Sequence, residues 1–433
     1  MRSDAVARRL QEMGASEGDY VSIDKRGEHY QGVLMPHHSF SHPDVVTLKL
    51  DDGYNIGIAI DDHTHLRLVE KRSPPESREG SIPRDGTKPS IALLGTGGTI
   101  ASYVEYQTGA VHPATTTEEL ALSVPEIFSL CNVQPRIVAQ KLSENVVPAD
   151  WQVLAEAVAE ELREGAAGVV VSHGTDTMGY TAAALSFMLD SLTGPVVLVG
   201  AQRSSDRPSS DAGLNLMAAV KTALTDLGEV AVVMHGTPSP EYGTIHRGTK
   251  VRKMHASRRD AFQSINALPL GYVEDDVRFV GPYRGAGQGE TRARTGLNTN
   301  VALVPFYPGM PPHDFARLAQ GKDGVVVAGT GLGHVHESWV PVIGDLVEQG
   351  TLVVMATQCL WGRVNLNVYA TGRKLLRSGV IGGEDMLPET ALVKLMWVLA
   401  NSDKPAADMK ANLAGEIAAR TLYEAYPGQK KYM

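Results

Sequence analysis

The stretch SIALLGTGGTIA, residues 90–101, decides the fold. Ile91–Leu94 is an unbroken apolar run that ends in Gly95, Gly97 and Gly98, interleaved with Thr96 and Thr99. A short apolar run closed by glycines reads as a strand buried on both faces, the kind found in parallel sheets. Glycine has no Cβ, so the turn allows tight backbone geometry and close approach of a ligand. A dinucleotide fingerprint would need a small residue where Ile100 stands, and it has no use for Thr99. A P-loop would need Gly-Lys-Ser/Thr, which is missing. On its own the motif is as compatible with a plain turn as with a site.

Downstream, apolar strands alternate with amphipathic helical patterns. Strand candidates are Arg136–Gln140, Gly168–Ser172, Val196–Val199 and Glu229–Met234, and the helical ones are Ala149–Glu164, Thr177–Leu189 and Asp211–Leu224. Val/Leu strands separated by helices predict a parallel sheet covered on both faces. A further α/β unit starts near Thr299, with strands Val301–Pro305, Gly324–Ala328 and Leu352–Met355 and helices Asp314–Gln320 and Glu337–Glu348. Helical stretches around Pro388–Ala400 and Ala406–Tyr423 close the chain.

Upstream the texture differs. Short β-like runs at Tyr20–Ile23, Tyr30–Met35, Val45–Leu50, Asn55–Ile60 and Leu66–Val69 are divided by turn signals such as Asp51-Asp52-Gly53. Strands at this spacing predict a small, partly closed barrel. The stretch KRSPPESREGSIPRDGTKP, residues 71–89, has no apolar period and reads as a linker. The predicted organisation is a β-barrel-like domain over 1–70, the linker 71–89, a large α/β domain over 90–298 and a smaller one over 299–433.

The chain has 433 residues, enough for two or three cored domains. Its net charge of −9 argues against broad autonomous nucleic-acid binding, which needs Lys and Arg to displace counterions. No run approaches the roughly 18 apolar residues of a membrane helix. The start, MRSDAVARRLQEMG, lacks the apolar centre of a secretory signal. Cys131 and Cys359, each in an apolar stretch, read as buried thiols in a reducing compartment, with no zinc-like cluster. These features predict a cytoplasmic protein.

In parallel sheets ligands sit beyond the carboxyl ends of the strands. The third strand runs into His173-Gly174-Thr175-Asp176-Thr177 and then a helix. Thr-Asp-Thr at a helix start is, taken alone, an N-cap signal, because hydroxyl and carboxylate oxygens accept free amide protons. Yet the sheet rule sets this turn beside the first one, so that two threonine-bearing turns and a carboxylate face one pocket.

At this point the residues become specific. GTGGTIAS and VVSHGTDTMGYTA resemble the paired signature motifs of the L-asparaginase/glutaminase family, and the likeness runs from about Ile91 to the C-terminus. Leu142-Ser143-Glu144, Val199-Gly200-Ala201-Gln202-Arg203 and the turn Gly329-Thr330-Gly331-Leu332-Gly333-His334 follow in order. The resemblance implies an asparaginase-like fold and a set of roles. Thr99 would be the nucleophile that forms an acyl-enzyme; Thr175 and Asp176 would be the second threonine and its carboxylate. Lys253 would be the family lysine, with Lys250 as the competing choice. Tyr106 would lie beside the first threonine, and Ser143 and Glu144 would hold the α-amino and α-carboxylate groups of the substrate. The chemistry suits these types: a threonine hydroxyl needs a base to take its proton, and a neutral lysine can serve.

The 89 residues before Ser90, together with AQRSSDRPSSD (201–211), HRGTKVRKMHASRRDAF (246–262) and QCLWGRVNLNVYATGR (358–373), exceed what simple hydrolysis needs. They are similar to the D-subunit family of archaeal glutamyl-tRNA(Gln) amidotransferases. That resemblance implies release of ammonia from glutamine, and a partner E subunit that binds Glu-tRNA(Gln) and uses ATP and Mg²⁺. It also implies a homodimer, with no cofactor or metal in this chain itself. The competing expectations are a free-standing cytoplasmic asparaginase or glutaminase and an inactive binding protein. The basic run Arg247–Arg259 reads either as an RNA contact or as an ion-paired face around the lysine. His173 reads as structural, and His334 and His336 are too sparse for a metal.

Overall fold

The computed structural model describes residues 2–35, 37, 42–50, 55–71, 82–98, 100, 102–104, 111–113, 116–203 and 210–426. Helix α1 (Asp4–Glu12) starts at Ser3, whose hydroxyl accepts the Val6 amide, and turns Val6 and Leu10 inward. It covers an antiparallel sheet of β1 (Tyr20–Lys25), β2 (Glu28–Leu34), β3 (Val45–Lys49), β4 (Asn55–Ala59) and β5 (Thr64–Glu70). The strand order is β4-β3-β2-β1-β5. Lys25, at the end of β1, donates to the Ala59 carbonyl at the end of β4, so the sheet curls towards closure. Val21, Ile23, Leu34, Val46, Leu48 and Ile58 form its own small core.

The large sheet is laid down by β6 (Ser90–Gly95), β9 (Asn132–Ile137), β10 (Val169–Ser172), β12 (Val196–Val199) and β13 (Val230–His235), all parallel. A ribbon of β7 (Ser102–Val104) and β8 (Val111–Pro113) lies between β6 and β9 in sequence. The period-2 rule explains the unbroken apolar runs. In β6, Ala92 and Leu94 point into one core while Ile91 and Leu93 point into another. Val169 and Val171 oppose Val170 in β10 in the same way. Each such Val, Leu or Ile side chain, removed from water, contributes about 1.5–3 kcal/mol before the entropy of ordering is set against it. Helices α2 (Thr117–Leu122) and α5 (Ala212–Ala223) cover one face; α3 (Pro148–Arg163) and α4 (Met178–Met188) cover the other.

One strand is displaced from expectation, and several short ones are new. The pattern pointed to Arg136–Gln140, but the strand is Asn132–Ile137, and its register against β6 runs through Pro135 at an edge where a missing N–H is tolerated. After β11 (Leu189–Asp190), which pairs with β19 (Arg292–Ala293), the sheet also gains an antiparallel flank: β14 (Gly243–Arg247), β17 (Gly271–Val273) and β18 (Val277–Phe279). Three-residue strands are shorter than any periodic signal, which hides them in the sequence. A separate ribbon, β15 (Val251–Lys253) with β16 (Phe262–Ser264), stands apart from both large sheets.

The second parallel sheet has the order β20-β21-β22-β23, from Val301–Pro305, Gly324–Gly329, Leu352–Thr357 and Ile381–Gly382. Helices α6 (Pro312–Ala319), α7 (Trp339–Glu348) and α8 (Ala370–Arg377) cover its outer side. Helix α9 (Pro388–Asn401) lies between the two sheets, so one continuous core joins Leu185 and Met188 of α4 to Val393 and Val398 of α9. Phe187 meets Trp397 at 6.4 Å between ring centroids. The apolar stripe Pro388–Trp397 is therefore core. Helix expected over Ala406–Tyr423 is limited to α10 (Pro405–Lys410); the segment after it is held by side-chain bonds, from its own Asn412 and Glu416 and from the distant Thr249 and Asp385, rather than by a helical ladder. Cys131 is buried, but Cys359 is exposed just past β22, because the apolar run containing it ends at the sheet's rim. Among the described residues no helix is long and apolar enough to cross a membrane.

Candidate active site

The carboxyl ends of β6, β10 and β12 bring three turns together. Thr96, after β6, donates both its amide (3.0 Å) and its hydroxyl (2.8 Å) to the Ser172 carbonyl at the end of β10. His173 donates its amide to the Val199 carbonyl of β12 at 2.9 Å. The glycines make this proximity possible. A Cβ on Gly98 would overlap the Gly174 amide, and one on Gly174 would sit 2.7 Å from the Ser143 Cβ. One on Gly200 would be 2.9 Å from the Thr175 Cγ2. Gly97 and Gly98 have φ of 99° and 87°, which glycine adopts without the steric cost other residues incur. Thr99 and Tyr106 lie outside the described residues, but Gly98, next to Thr99, packs directly on the second turn.

Thr175 is buried at the end of β10, and Lys253 reaches it from the ribbon 78 residues further along the chain. Lys253 Nζ lies 2.8 Å from Thr175 Oγ1 and 2.8 Å from Asp176 Oδ1. The ammonium donates to both oxygens in this geometry; a neutral amine would instead accept from the hydroxyl. Asp176 is two-thirds exposed and Lys253 largely covered, so the carboxylate faces the opening and the lysine lies beneath it. Lys250, three residues earlier, points away and forms a buried pair with Asp385 Oδ2 at 2.7 Å. Of the two lysines, only Lys253 meets the threonine turn.

The N-cap expectation for this turn fails. Thr177 holds the N-cap position of α4 without a side-chain cap and donates its hydroxyl to the Ser143 carbonyl at 2.7 Å. Asp176 is engaged by Lys253. Tertiary partners have taken the oxygens that an isolated helix would use. Ser143 sits in a one-turn 3-10 segment, Ser143–Asn145, and its Oγ accepts the Asp176 amide at 3.3 Å. Glu144 is next to it and exposed. Ser143 therefore adjoins the second turn, with Glu144 on the solvent side.

His173 is structural in its contacts. Its Nδ1 donates to the Gly174 carbonyl at 2.7 Å, and Nε2 accepts from Thr181 Oγ1 at 2.9 Å. Thr181 in turn accepts the Trp151 indole N–H at 3.0 Å. Burial holds the imidazole below its ordinary pKa. A second array, invisible in the sequence pattern, fixes the β12 turn. Asp211 accepts the amides of Gln202 and Arg203, and Asn215 donates to both Asp211 Oδ2 and the Gly200 carbonyl. The signal that could have found Asp211 is its position immediately before a helix in the segment 201–211.

The basic run is ion-paired. Arg247 pairs with Glu229 at 2.6 Å, Arg252 with Glu389 at 3.4 Å and Arg258 with Asp260 at 2.8 Å, beside the two lysine pairs. These partners favour the face around the lysine over an RNA contact. Among the described residues no group of three or more His, Cys, Asp or Glu could hold a metal ion.

Three family models match: Asparaginase, N-terminal over 90–283; Glutaminase/Asparaginase C-terminal domain over 300–411; and GatD N-terminal domain over 15–69. The chain is 51% identical to the D subunit of glutamyl-tRNA(Gln) amidotransferase from Pyrococcus furiosus, covering 95% of this chain and 97% of that one. It is 48% identical to the Thermococcus kodakarensis protein of the same name, covering 96% and 98%. The thermostable L-asparaginase of Thermococcus kodakarensis superposes with a TM-score of 0.70 at 32% identity, over 76% of this chain and all of that one. L-asparaginase I of Vibrio cholerae gives 0.68 at 29%, over 76% of this chain and 99% of that one. With an asparaginase-type pair of α/β units and the extra N-terminal unit in one chain, the protein belongs to the D-subunit family of glutamyl-tRNA(Gln) amidotransferases.

Proposed function

We propose that this chain is the ammonia-releasing subunit of a tRNA-dependent amidotransferase that converts Glu-tRNA(Gln) to Gln-tRNA(Gln). The observation that carries the reading is Lys253 Nζ at 2.8 Å from both Thr175 Oγ1 and Asp176 Oδ1, beside the glycine turn that leads into Thr99. In this reading the Thr99 hydroxyl attacks the carboxamide carbon of glutamine, and Thr175, Lys253 and Asp176 assist the transfer of its proton to the leaving nitrogen. Ammonia departs and leaves an acyl-threonine. Thr175, with Lys253 as its base and Asp176 orienting the lysine, activates the water that releases glutamate. The family likeness assigns Tyr106 a substrate-binding role next to Thr99. Ser143 and Glu144 hold the charged α-groups of the substrate, Glu144 through the ammonium.

The family membership supports a division of labour with a partner E subunit, which would hold the charged tRNA and use ATP and Mg²⁺ to activate its glutamate. The acidic net charge of −9 is consistent with leaving most tRNA contact to that partner. A homodimer, and a heterotetramer with the E subunit, follow from the same reading, as does a cytoplasmic location. The N-terminal unit favours this reading over a free-standing asparaginase, since residues 15–69 match the GatD N-terminal domain, and the solved L-asparaginase spans only 76% of this chain.

The test measures ammonia release from glutamine and from asparagine. It is run on the chain alone and with the E subunit, Glu-tRNA(Gln), ATP and Mg²⁺. Stimulation by the partner and charged tRNA is expected. The same rate in every condition would leave a deamidase and remove the amidotransferase.

A further inference from the structure

Lys253 lies in a ribbon of two three-residue strands, with Val251 opposite Ser264, Arg252 opposite Gln263 and Lys253 opposite Phe262. An isolated two-stranded hairpin is marginal in water even at greater length, so its own ladder does not hold a side chain to the tolerance chemistry requires. The base of the ribbon is closed by the Ile265 amide, which donates to the Lys250 carbonyl at 2.8 Å. Both strands then run onto one residue of the second α/β unit. Lys250, just before β15, donates to Asp385 Oδ2 at 2.7 Å. Asn266, just after β16, donates to the Asp385 carbonyl at 3.1 Å and the Gly362 carbonyl at 3.0 Å, and its Oδ1 accepts the Gly362 amide at 2.8 Å. Asp385 Oδ1 accepts the Ala418 amide at 3.0 Å, with Arg363 at 3.6 Å. Lys250 and Asp385 are 1% and 3% exposed.

We infer that Asp385, through Lys250 and Asn266, is the joint by which the C-terminal unit positions Lys253 against Thr175. A buried ion pair is a poor source of net stability compared with apolar residues of the same volume, because desolvation offsets the attraction. What it supplies here is geometry. The carboxylate has both oxygens engaged, one by the ribbon and one by the C-terminal segment, so the ribbon's base has one place to sit. Flanking bonds act in the same direction: Thr249 donates to the Ala414 carbonyl at 3.1 Å, Thr390 donates to the Thr249 carbonyl at 3.2 Å, and Arg252 faces Glu389. Lys250, Asn266 and Asp385 are positioning residues, since none touches Thr175 or Asp176. The inference rests on Lys253 being the working lysine of the proposed reaction.

The test uses the full chain with its partner subunit and measures ammonia release from glutamine alongside thermal unfolding. The double variant Lys250→Met/Asp385→Asn removes both charges of the pair together, and Arg363 keeps Glu384 at 3.7 Å. Asn266→Gly keeps the left-handed backbone (φ 57°) and removes only the amide bridge. It also covers the case in which the double variant fails to fold. A fall in kcat of ten- to a hundredfold per folded molecule, with KM within about twofold, is expected for the double variant. A smaller fall of the same kind is expected for Asn266→Gly. Unchanged kcat in Asn266→Gly, or a loss in either variant that follows only the folded fraction, overturns the inference. Lys253→Met is run in parallel. If it stays active, the proposed reaction fails; if it is dead while the other variants are normal, only the positioning joint fails.

Discussion

The molecule contains two glycine-rich turns of nearly the same spelling at the ends of two parallel strands, and they do opposite things. Gly95-Thr96-Gly97-Gly98, after β6, opens onto its neighbours: its backbone packs on Gly174 and Lys141, and Thr96 ties it to β10. Gly329-Thr330-Gly331-Leu332-Gly333-His334, after β21, also meets its neighbours, accepting the Thr357 hydroxyl and the Asn365 amide at the Gly331 and Leu332 carbonyls, but it turns its threonine back on itself. The Thr330 amide donates to the His334 carbonyl at 2.8 Å, the His334 amide returns to Thr330 at 2.9 Å, and the Thr330 hydroxyl adds a bond at 3.1 Å. Among the described residues no lysine or carboxylate is bonded to the Thr330 hydroxyl, whereas Thr175, facing the first turn, has Lys253. A threonine in a glycine turn gains chemistry only from what the fold sets opposite it.

The largest expected difference between the two turns is catalytic. Thr175→Val should lower ammonia release from glutamine by about 10³-fold or more, in the range lost with a proton-transfer partner. Thr330→Val should leave kcat within about twofold and cost about 1 kcal/mol in a denaturant titration. Equal losses from the two variants would erase the distinction.

Next come the glycines. At Gly98 an added methyl meets backbone and a positive φ of 87°, so Gly98→Ala should destabilise by about 2–4 kcal/mol and disturb the site as well. At Gly331 (φ 54°) nothing lies within 4 Å of the added atom, so only the backbone term of about 1 kcal/mol remains. Thermal unfolding of the two alanine variants measures the gap directly, and a reversed order would contradict the packing described.

The first unit should also be the one that carries a histidine-linked acid sensitivity. His246 in β14 is fully buried, and burial pushes its pKa down to about 3 from the usual 6.5. The folded chain keeps it neutral while the unfolded chain binds a proton. Its contribution to stability is therefore full above about pH 6.5. It is lost at up to about 1.4 kcal/mol per pH unit as pH falls towards 3. His246→Asn should flatten the stability–pH slope between pH 6 and 4 by about one proton, and an unchanged slope would argue against a buried neutral imidazole.

The smallest contrast lies in the thiols. Burial holds Cys131, before β9, up at about 11, while Cys359 is exposed after β22. A thiol reagent on the native protein should label one cysteine per chain quickly and the second only on unfolding. Fast labelling of both would mean that the first sheet's edge opens.

Much of the fold was legible because the central strands β6, β10, β12 and β13 are apolar along most of their length. Where Ile91, Ala92, Leu93 and Leu94 face two cores in turn, no polar residue breaks the run, and both the parallel sheet and its carboxyl edge follow. In the flank, β17 and β18 were not legible, since three residues are too few to show a period. The cap expected at Thr177 was lost to Ser143, a residue 34 positions away. Of the site residues, Thr175, Asp176, Lys253 and Ser143 come together, Glu144 stands at the solvent side, and Thr99 and Tyr106 lie outside the described residues. Spacing left Lys253 and Lys250 as rivals. Their separation came from Asp385, 135 residues away from Lys250, which no local pattern links to either.

By itself the sequence determined which segments are buried strands, where the glycine turns fall between them, and which hydroxyls, carboxylates and lysines are present. Those properties are local: they depend on periodicity of two or 3.6 residues and on the absence of a side chain at glycine. Only the tertiary structure decided which lysine meets which threonine. Hydrogen bonds and ion pairs act over about 3 Å, and residues far apart in the chain reach that distance only when the two sheets have packed through α4 and α9.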